Sequence, residues 1–92
     1  MKQQLRVLVT TNPERMQRLE AWVREMKQAF TIEAVSVYGG MVKTMDLVAT
    51  GQDDDMRNLQ LLARKQLKGT QSETFLSIAP TVEEPAASRN NA

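Results

Sequence analysis

IEAVSVYGGMVKTMDLVAT, residues 32–50, reads as two strands turned back on each other at Gly39-Gly40. β-Branched and other apolar residues fill both arms. Glycine reaches positive φ without steric cost, so a glycine pair between such arms signals a hairpin. The spacing predicts one strand over Ile32–Tyr38 and the next over Met41–Thr50. In the latter, Met41, Lys43, Met45, Leu47 and Ala49 share one face. Val42, Thr44, Asp46, Val48 and Thr50 share the other. Both faces are partly apolar, as expected of a central strand.

On the N-terminal side, Leu5–Thr10 alternates weakly and reads as the first strand. Asn12-Pro13-Glu14 then opens a helix: a capping side chain, a residue suited to the first helical position and an acid for the positive dipole end. Met16, Leu19, Trp22, Val23, Met26 and Phe30 recur at helical spacing as one apolar stripe, which places Trp22 in the core. Glu14–Arg18 and Glu20–Arg24 are spaced for ion pairs along the helix.

On the C-terminal side, Gly51–Asp55 leads into a second helix over about Asp54–Leu67. Its expected stripe is Met56, Leu59, Leu62, Ala63 and Leu67, with Leu61 at the edge. Asp53-Asp54-Asp55 lacks the alternating ligands, central glycine and distal glutamate of an EF-hand, and reads as a helix cap plus two dipole-facing acids. No metal site is expected. Arg57, Arg64 and Lys68 form a basic row that solvates the helix, and Gly69 suits its C-terminal end. A last strand is expected over Thr74–Ala79, stopped by Pro80. Residues 81–92, TVEEPAASRNNA, have the composition of a flexible tail.

The order βαββαβ predicts an α+β, ferredoxin-like two-layer sandwich over residues 1–80, with a four-stranded antiparallel sheet and two helices on one face. Right-handed crossovers put the first and third strands in the centre. The expected core comprises Val7, Val9, Met16, Leu19, Trp22, Met26, Met45, Leu47, Leu59 and Leu62. Met45 and Leu47 should face the helices. Val42, Thr44, Asp46 and Val48 should face outward, and apolar residues on an uncovered face mark a contact surface.

The chain has no cysteine and no histidine. Thiolate and imidazole metal sites and Ser-His-Asp or Cys-His nucleophiles therefore cannot be built within one copy. Its formal charge of +1 makes no general case for nucleic acid or an anionic membrane. No apolar run approaches the ~20 residues needed to span a bilayer. The opening MKQQLRVLVTT holds too short an apolar run for a signal peptide, so the cytoplasm is the expected compartment. No cofactor is expected.

Two families of this topology are similar to the chain. Leu5 to about Pro80 resembles the ligand-sensing domain of feast/famine (leucine-responsive) regulators, a relative of the ACT domain. The likeness is carried by the element order, by Met45-Asp46-Leu47-Val48 and by Thr74 opening the last strand. It implies a stand-alone module that associates through its sheet and binds a small effector between subunits. The chain also resembles the small cytoplasmic chaperone of periplasmic nitrate reductase, through Asn12-Pro13-Glu14-Arg15, the glycine hairpin and Val82-Glu83-Glu84. That likeness implies binding of a twin-arginine signal peptide on the open sheet face.

The expected function is a non-enzymatic regulatory or binding module, a homodimer or higher oligomer, acting on a small effector, peptide or partner protein. Its candidate site residues are Tyr38, Val42, Lys43, Thr44, Asp46 and Val48. An RNA-binding module of the same topology would stack bases on aromatics of the first and third strands. Val7, Leu8 and Val9 stand in the first, and the third has no aromatic. An enzyme would draw on Asp46, Lys43, Tyr38 or Asp53–Asp55, and nothing there converges on a nucleophile and base.

Overall fold

Strands and helices alternate as β1 (Lys2–Thr11), α1 (Pro13–Met26), β2 (Thr31–Gly39), β3 (Lys43–Gln52), α2 (Asp53–Gln66) and β4 (Gln71–Ile78). This computed structural model describes residues 1–80; the tail expected over 81–92, with Val82-Glu83-Glu84, lies outside them. The sheet is antiparallel throughout, in the order β2-β3-β1-β4, so the first and third strands are central as the crossover rule requires. Leu5, Val7 and Val9 of β1 and Met45, Leu47 and Ala49 of β3 are buried on the face that both helices cover. From above they meet Met16, Leu19 and Val23 of α1 and Met56, Leu59, Ala63 and Leu67 of α2 or its cap. The ferredoxin-like α+β sandwich is therefore the fold.

Local chemistry accounts for the ends of α1. The Asn12 side chain accepts from the Arg15 backbone N–H at 2.8 Å, with Pro13 in the first turn. Arg15 then reaches across to the other helix, donating to the carbonyl oxygens of Gln66 at 3.1 Å and Lys68 at 2.7 Å. A cation thus satisfies orphan carbonyls at the negative end of α2. Asn12 and Arg15, from the four-residue stretch that contributes to the chaperone resemblance, have structural employment here.

Several expectations need correcting. The turn is longer than Gly39-Gly40: Gly39 pairs with Lys43, and Gly40, Met41 and Val42 form the connection. Trp22 and Met26 are only half-buried, and Leu62 is 40% exposed. Trp22 and Leu62 each stand about 100° around their helix from the centre of the buried stripe, the flank of a helix on a flat sheet. Leu5, Val23, Met56, Ala49, Ala63 and Leu67 complete the core instead. Helix α2 begins at Asp53, so all three aspartates lie in its first turn, and Gln52 occupies the cap without a side-chain hydrogen bond. Gly69 follows the cap residue Leu67 by two positions, at φ +86°. The only ion pairs among the described residues are Arg6–Asp46 and Arg57–Asp53, so neither Glu14–Arg18 nor Glu20–Arg24 closes. Exposed long side chains gain too little from such pairs to be held in one geometry.

Candidate functional site

The sheet face away from the helices carries no covering element among the described residues. Strand registers arrange it in rows from β2 through β3 and β1 to β4. Tyr38, Thr44, Thr10 and Gln71 make the first row; Ser36, Asp46, Leu8 and Glu73 the second; Ala34, Val48, Arg6 and Phe75 the third. Alternation of side chains along each strand puts all twelve on one surface.

Polar contacts organise its middle. Arg6 donates from Nε to Asp46 Oδ1 at 3.1 Å and from a terminal nitrogen to Oδ2 at 2.7 Å, a two-pronged pair between diagonal neighbours on β1 and β3. The Arg6 hydrogen bond holds the Asp46 carboxyl below the usual carboxylate range. The same contact raises the guanidinium still further above neutrality. Such a carboxylate is a poor general base, because it is ionised and already engaged. The Thr10 and Thr44 hydroxyls share a hydrogen bond of 3.2 Å in the first row. Toward the other end, a bulge between Ile32 and Ala34 lets Glu33 accept from the hydroxyl of the buried Thr50 at 2.9 Å.

At the first-row end lies an open depression of about 650 Å³, lined by Tyr38, Thr44, Thr10, Leu8, Glu73 and the Thr70–Ser72 segment. Hydroxyls and an amide dominate its wall, Leu8 gives it an apolar floor, and Glu73 is its one carboxylate. Glu73 makes no ion pair among the described residues. The volume falls within the range of small-molecule pockets, about 300–1,000 Å³, although the site is a dish rather than a cleft.

Four of the six sequence-derived candidates, Tyr38, Thr44, Asp46 and Val48, share the open sheet face, and two of them, Tyr38 and Thr44, line the depression. Val42 and Lys43 do not share that face. Alternation from Met41 puts Val42 in the third strand on the open face; it sits in the turn instead, 61% exposed. Lys43 has the parity of Met45, so it belongs to the helix side, and its Nζ donates to the Gly39 carbonyl oxygen at 3.0 Å. That bond ties the hairpin and leaves the open face without a lysine from β3. Arg6, Leu8, Thr10, Glu73 and Phe75 were missed. The signal was available for three: Arg6, Leu8 and Thr10 occupy the second face of an alternating strand. Glu73 and Phe75 required knowing that β4 starts at Gln71 and neighbours β1.

Asp53, Asp54 and Asp55 are drawn apart along a helical turn, and Asp53 accepts from Arg57 Nε at 2.8 Å. Among the described residues, no helix is long and apolar enough to cross a membrane.

No protein-family model matches the chain, and no curated protein matches it. Among solved structures the chain is similar to an uncharacterized protein from Thermotoga maritima, with a TM-score of 0.62 and 12% identity. The match covers 83% of this chain and 98% of that one. At that identity the likeness shows the shared fold alone.

Proposed function

We propose that this protein is a non-enzymatic regulatory or binding module. It acts through the open face of its sheet, as a homo-oligomer, on a small effector or a partner protein. One observation carries the reading. The uncovered face holds Leu8 and Val48 half-buried, with Tyr38 56% and Phe75 49% exposed, around the depression at its first row. Scattered surface apolar residues need no explanation, but a face of a small domain that gathers them beside a dish of hydroxyls fits a ligand platform. The absence of histidine and cysteine and the engagement of Asp46 by Arg6 argue against an acid–base or nucleophilic role. This is also the role implied by the resemblance to the effector-sensing domains.

Glu73 favours a second reading, the cytoplasmic chaperone that takes a twin-arginine signal peptide. As the one charged group lining the depression, it suits a guanidinium arriving from a peptide. RNA has less support, since Tyr38 and Phe75 stand on the two edge strands and β1 and β3 offer no stacking platform.

The test is an amide-resolved NMR titration with two probe sets, the free amino acids and a synthetic twin-arginine peptide. At least one probe should move the resonances of Leu8, Thr10, Tyr38, Thr44 and Glu73. Val48→Asp should weaken that probe at least about tenfold, roughly 1.4 kcal/mol, with the circular-dichroism spectrum unchanged. Glu73→Gln should weaken the peptide and spare the amino acids. Binding confined to the helix layer around Leu61, or no binding by either set, would remove the open face from consideration.

A further inference from the structure

The two edges of the sheet are built differently. On β2 the register shifts between Ile32 and Ala34, and such bulges blunt an edge against foreign strands. Against β1, β4 keeps an unbroken register from Gln71 to Ile78. Its sequence QSETFLSI holds no proline or lysine and one charge, Glu73. Among the described residues no bulge, proline or lysine protects this edge.

The direction of its free backbone groups follows from one bond. Ala79 N–H donates to the Lys2 carbonyl oxygen at 3.0 Å, and continuing the Gln3–Ile78 register places these two residues opposite each other. In an antiparallel pair, bonded and non-bonded positions alternate. The odd-numbered residues of β4 therefore bond to β1. Ser72, Thr74, Leu76 and Ile78 turn their N–H and C=O groups away from the sheet.

We infer that β4 pairs antiparallel with β4 of a second copy, across a two-fold axis at Phe75, joining two four-stranded sheets into one. This deepens the homo-oligomer part of the reading above by naming its surface. The register is selected by the chain itself. With the axis at Phe75, Ser72 faces the partner's Ile78 and Thr74 faces the partner's Leu76. All four outward residues are then used from each side, giving about eight bonds at two per pair. An axis at Thr74 or Leu76 would leave one outward residue of each strand unpaired. The same register sets Glu73 opposite the partner's Ser77, so no carboxylate meets its copy. It sets Phe75 against the partner's Phe75 at a non-bonded position, where cross-strand side chains come closest.

The pairing also enlarges the open face. The registers continue the three rows with a fourth of Thr31, Thr50, Gln4 and Ser77. Four strands about 4.8 Å apart and four rows about 6.8 Å apart give a flat area of roughly 500 Å². A stable protein interface takes about 800 Å² per partner, more than one face offers and less than two joined faces offer. Gln71 and Glu73, on the wall of the depression, come to lie beside the partner's Ala79 and the partner's Ser77. The second copy thus completes that wall.

Sedimentation velocity over a broad concentration range should show a monomer–dimer equilibrium. Phe75→Lys should weaken it at least about tenfold, partly restored by salt, because like charges then oppose each other. Ser72→Pro removes an outward N–H and no bond to β1, so it should give a folded monomer. The chain has no cysteine, so single-cysteine variants report the register directly. Phe75→Cys should oxidise to a covalent dimer, since Cα atoms about 4.5 Å apart at such a pair meet the disulfide requirement of about 4.4–6.8 Å. Glu73→Cys and Ser77→Cys should each fail alone and cross-link when mixed. A wild type that stays monomeric throughout overturns the proposal, as does a dimer that cross-links through Val48→Cys and not Phe75→Cys, which would mean stacked faces. Repeating the NMR titration on an Ile78→Pro monomer separates the two ideas, because Ile78 also turns its N–H away from β1 and lies outside the depression's lining.

Discussion

Replacing Gly39 by alanine should cost far more than replacing its neighbour Gly40, and the difference can be worked from the hairpin. Gly39 has φ +113°, and a Cβ built on it would lie 2.3 Å from the Val42 carbonyl oxygen. A non-glycine residue in such a conformation costs about 1–3 kcal/mol in backbone strain alone. The clash is with backbone, so relief requires opening the Gly39–Lys43 pair, which also carries the Lys43 Nζ bond to Gly39 O. One such bond is worth a net of about 1 kcal/mol. The sum is about 2–4 kcal/mol. A domain of this size has only about 4–12 kcal/mol of stability in all. The melting temperature should fall by roughly 8–30 °C, at 4–8 °C per kcal/mol. Gly40 is different: a Cβ there meets nothing within 4 Å, and its φ is not positive. Gly40→Ala should be neutral or stabilising by up to about 1 kcal/mol, through lower entropy of the unfolded chain. Urea titrations followed by far-ultraviolet circular dichroism give both values. Equal losses for the two variants would refute the assignment of the turn to Gly40–Val42.

Leu59→Ala, at a position 1% exposed, should lose about 2–5 kcal/mol by denaturant titration, whereas Leu62→Ala should lose less than about 1 kcal/mol. A larger loss at Leu62 would mean that α2 is rotated on the sheet. Acid stability should report the Arg6–Asp46 pair. Asp46 titrates below its ordinary value of 3.8 in the folded state, so the folded chain binds fewer protons than the unfolded chain there. Its stabilising contribution is present above that value and is lost as pH falls through the lowered folded value. Asp46→Asn should therefore flatten the acid limb of a melting-temperature profile below about pH 4, less so in high salt. An unchanged slope would show that the pair is not formed in solution.

The layer architecture was legible from residue patterns because it depends on local periodicities. Alternation in Leu5–Val9 and Met45–Ala49 and the helical recurrence of Met16, Leu19, Val23, Met56, Leu59 and Ala63 are properties of single elements. Burial followed from them directly. Asn12-Pro13 likewise announced a helix start by chemistry confined to three residues. The open-face positions of Thr44, Asp46 and Val48 came from the same alternation.

Misreadings arose where the deciding atom lay on another element. Lys43 lies on the helix side by parity, and its bond to Gly39 depends on how the turn closes. Trp22 and Leu62 obey helical spacing, yet their burial depends on where a flat sheet stops covering a cylindrical helix. The role of Arg15, which donates to the carbonyl oxygens of Gln66 and Lys68, depends on the end of α2 lying beside it. The platform itself, with Arg6 on Asp46, Phe75 level with Val48 across two strand boundaries and Glu73 beside Leu8, exists only through pairing registers. From sequence alone came the two layers, the six elements and the strand faces, because backbone sterics and burial act within about one turn or one pleat. Tertiary structure alone decided which side chains share a row, since residues forty positions apart meet only when hydrogen-bond ladders fix one strand against the next.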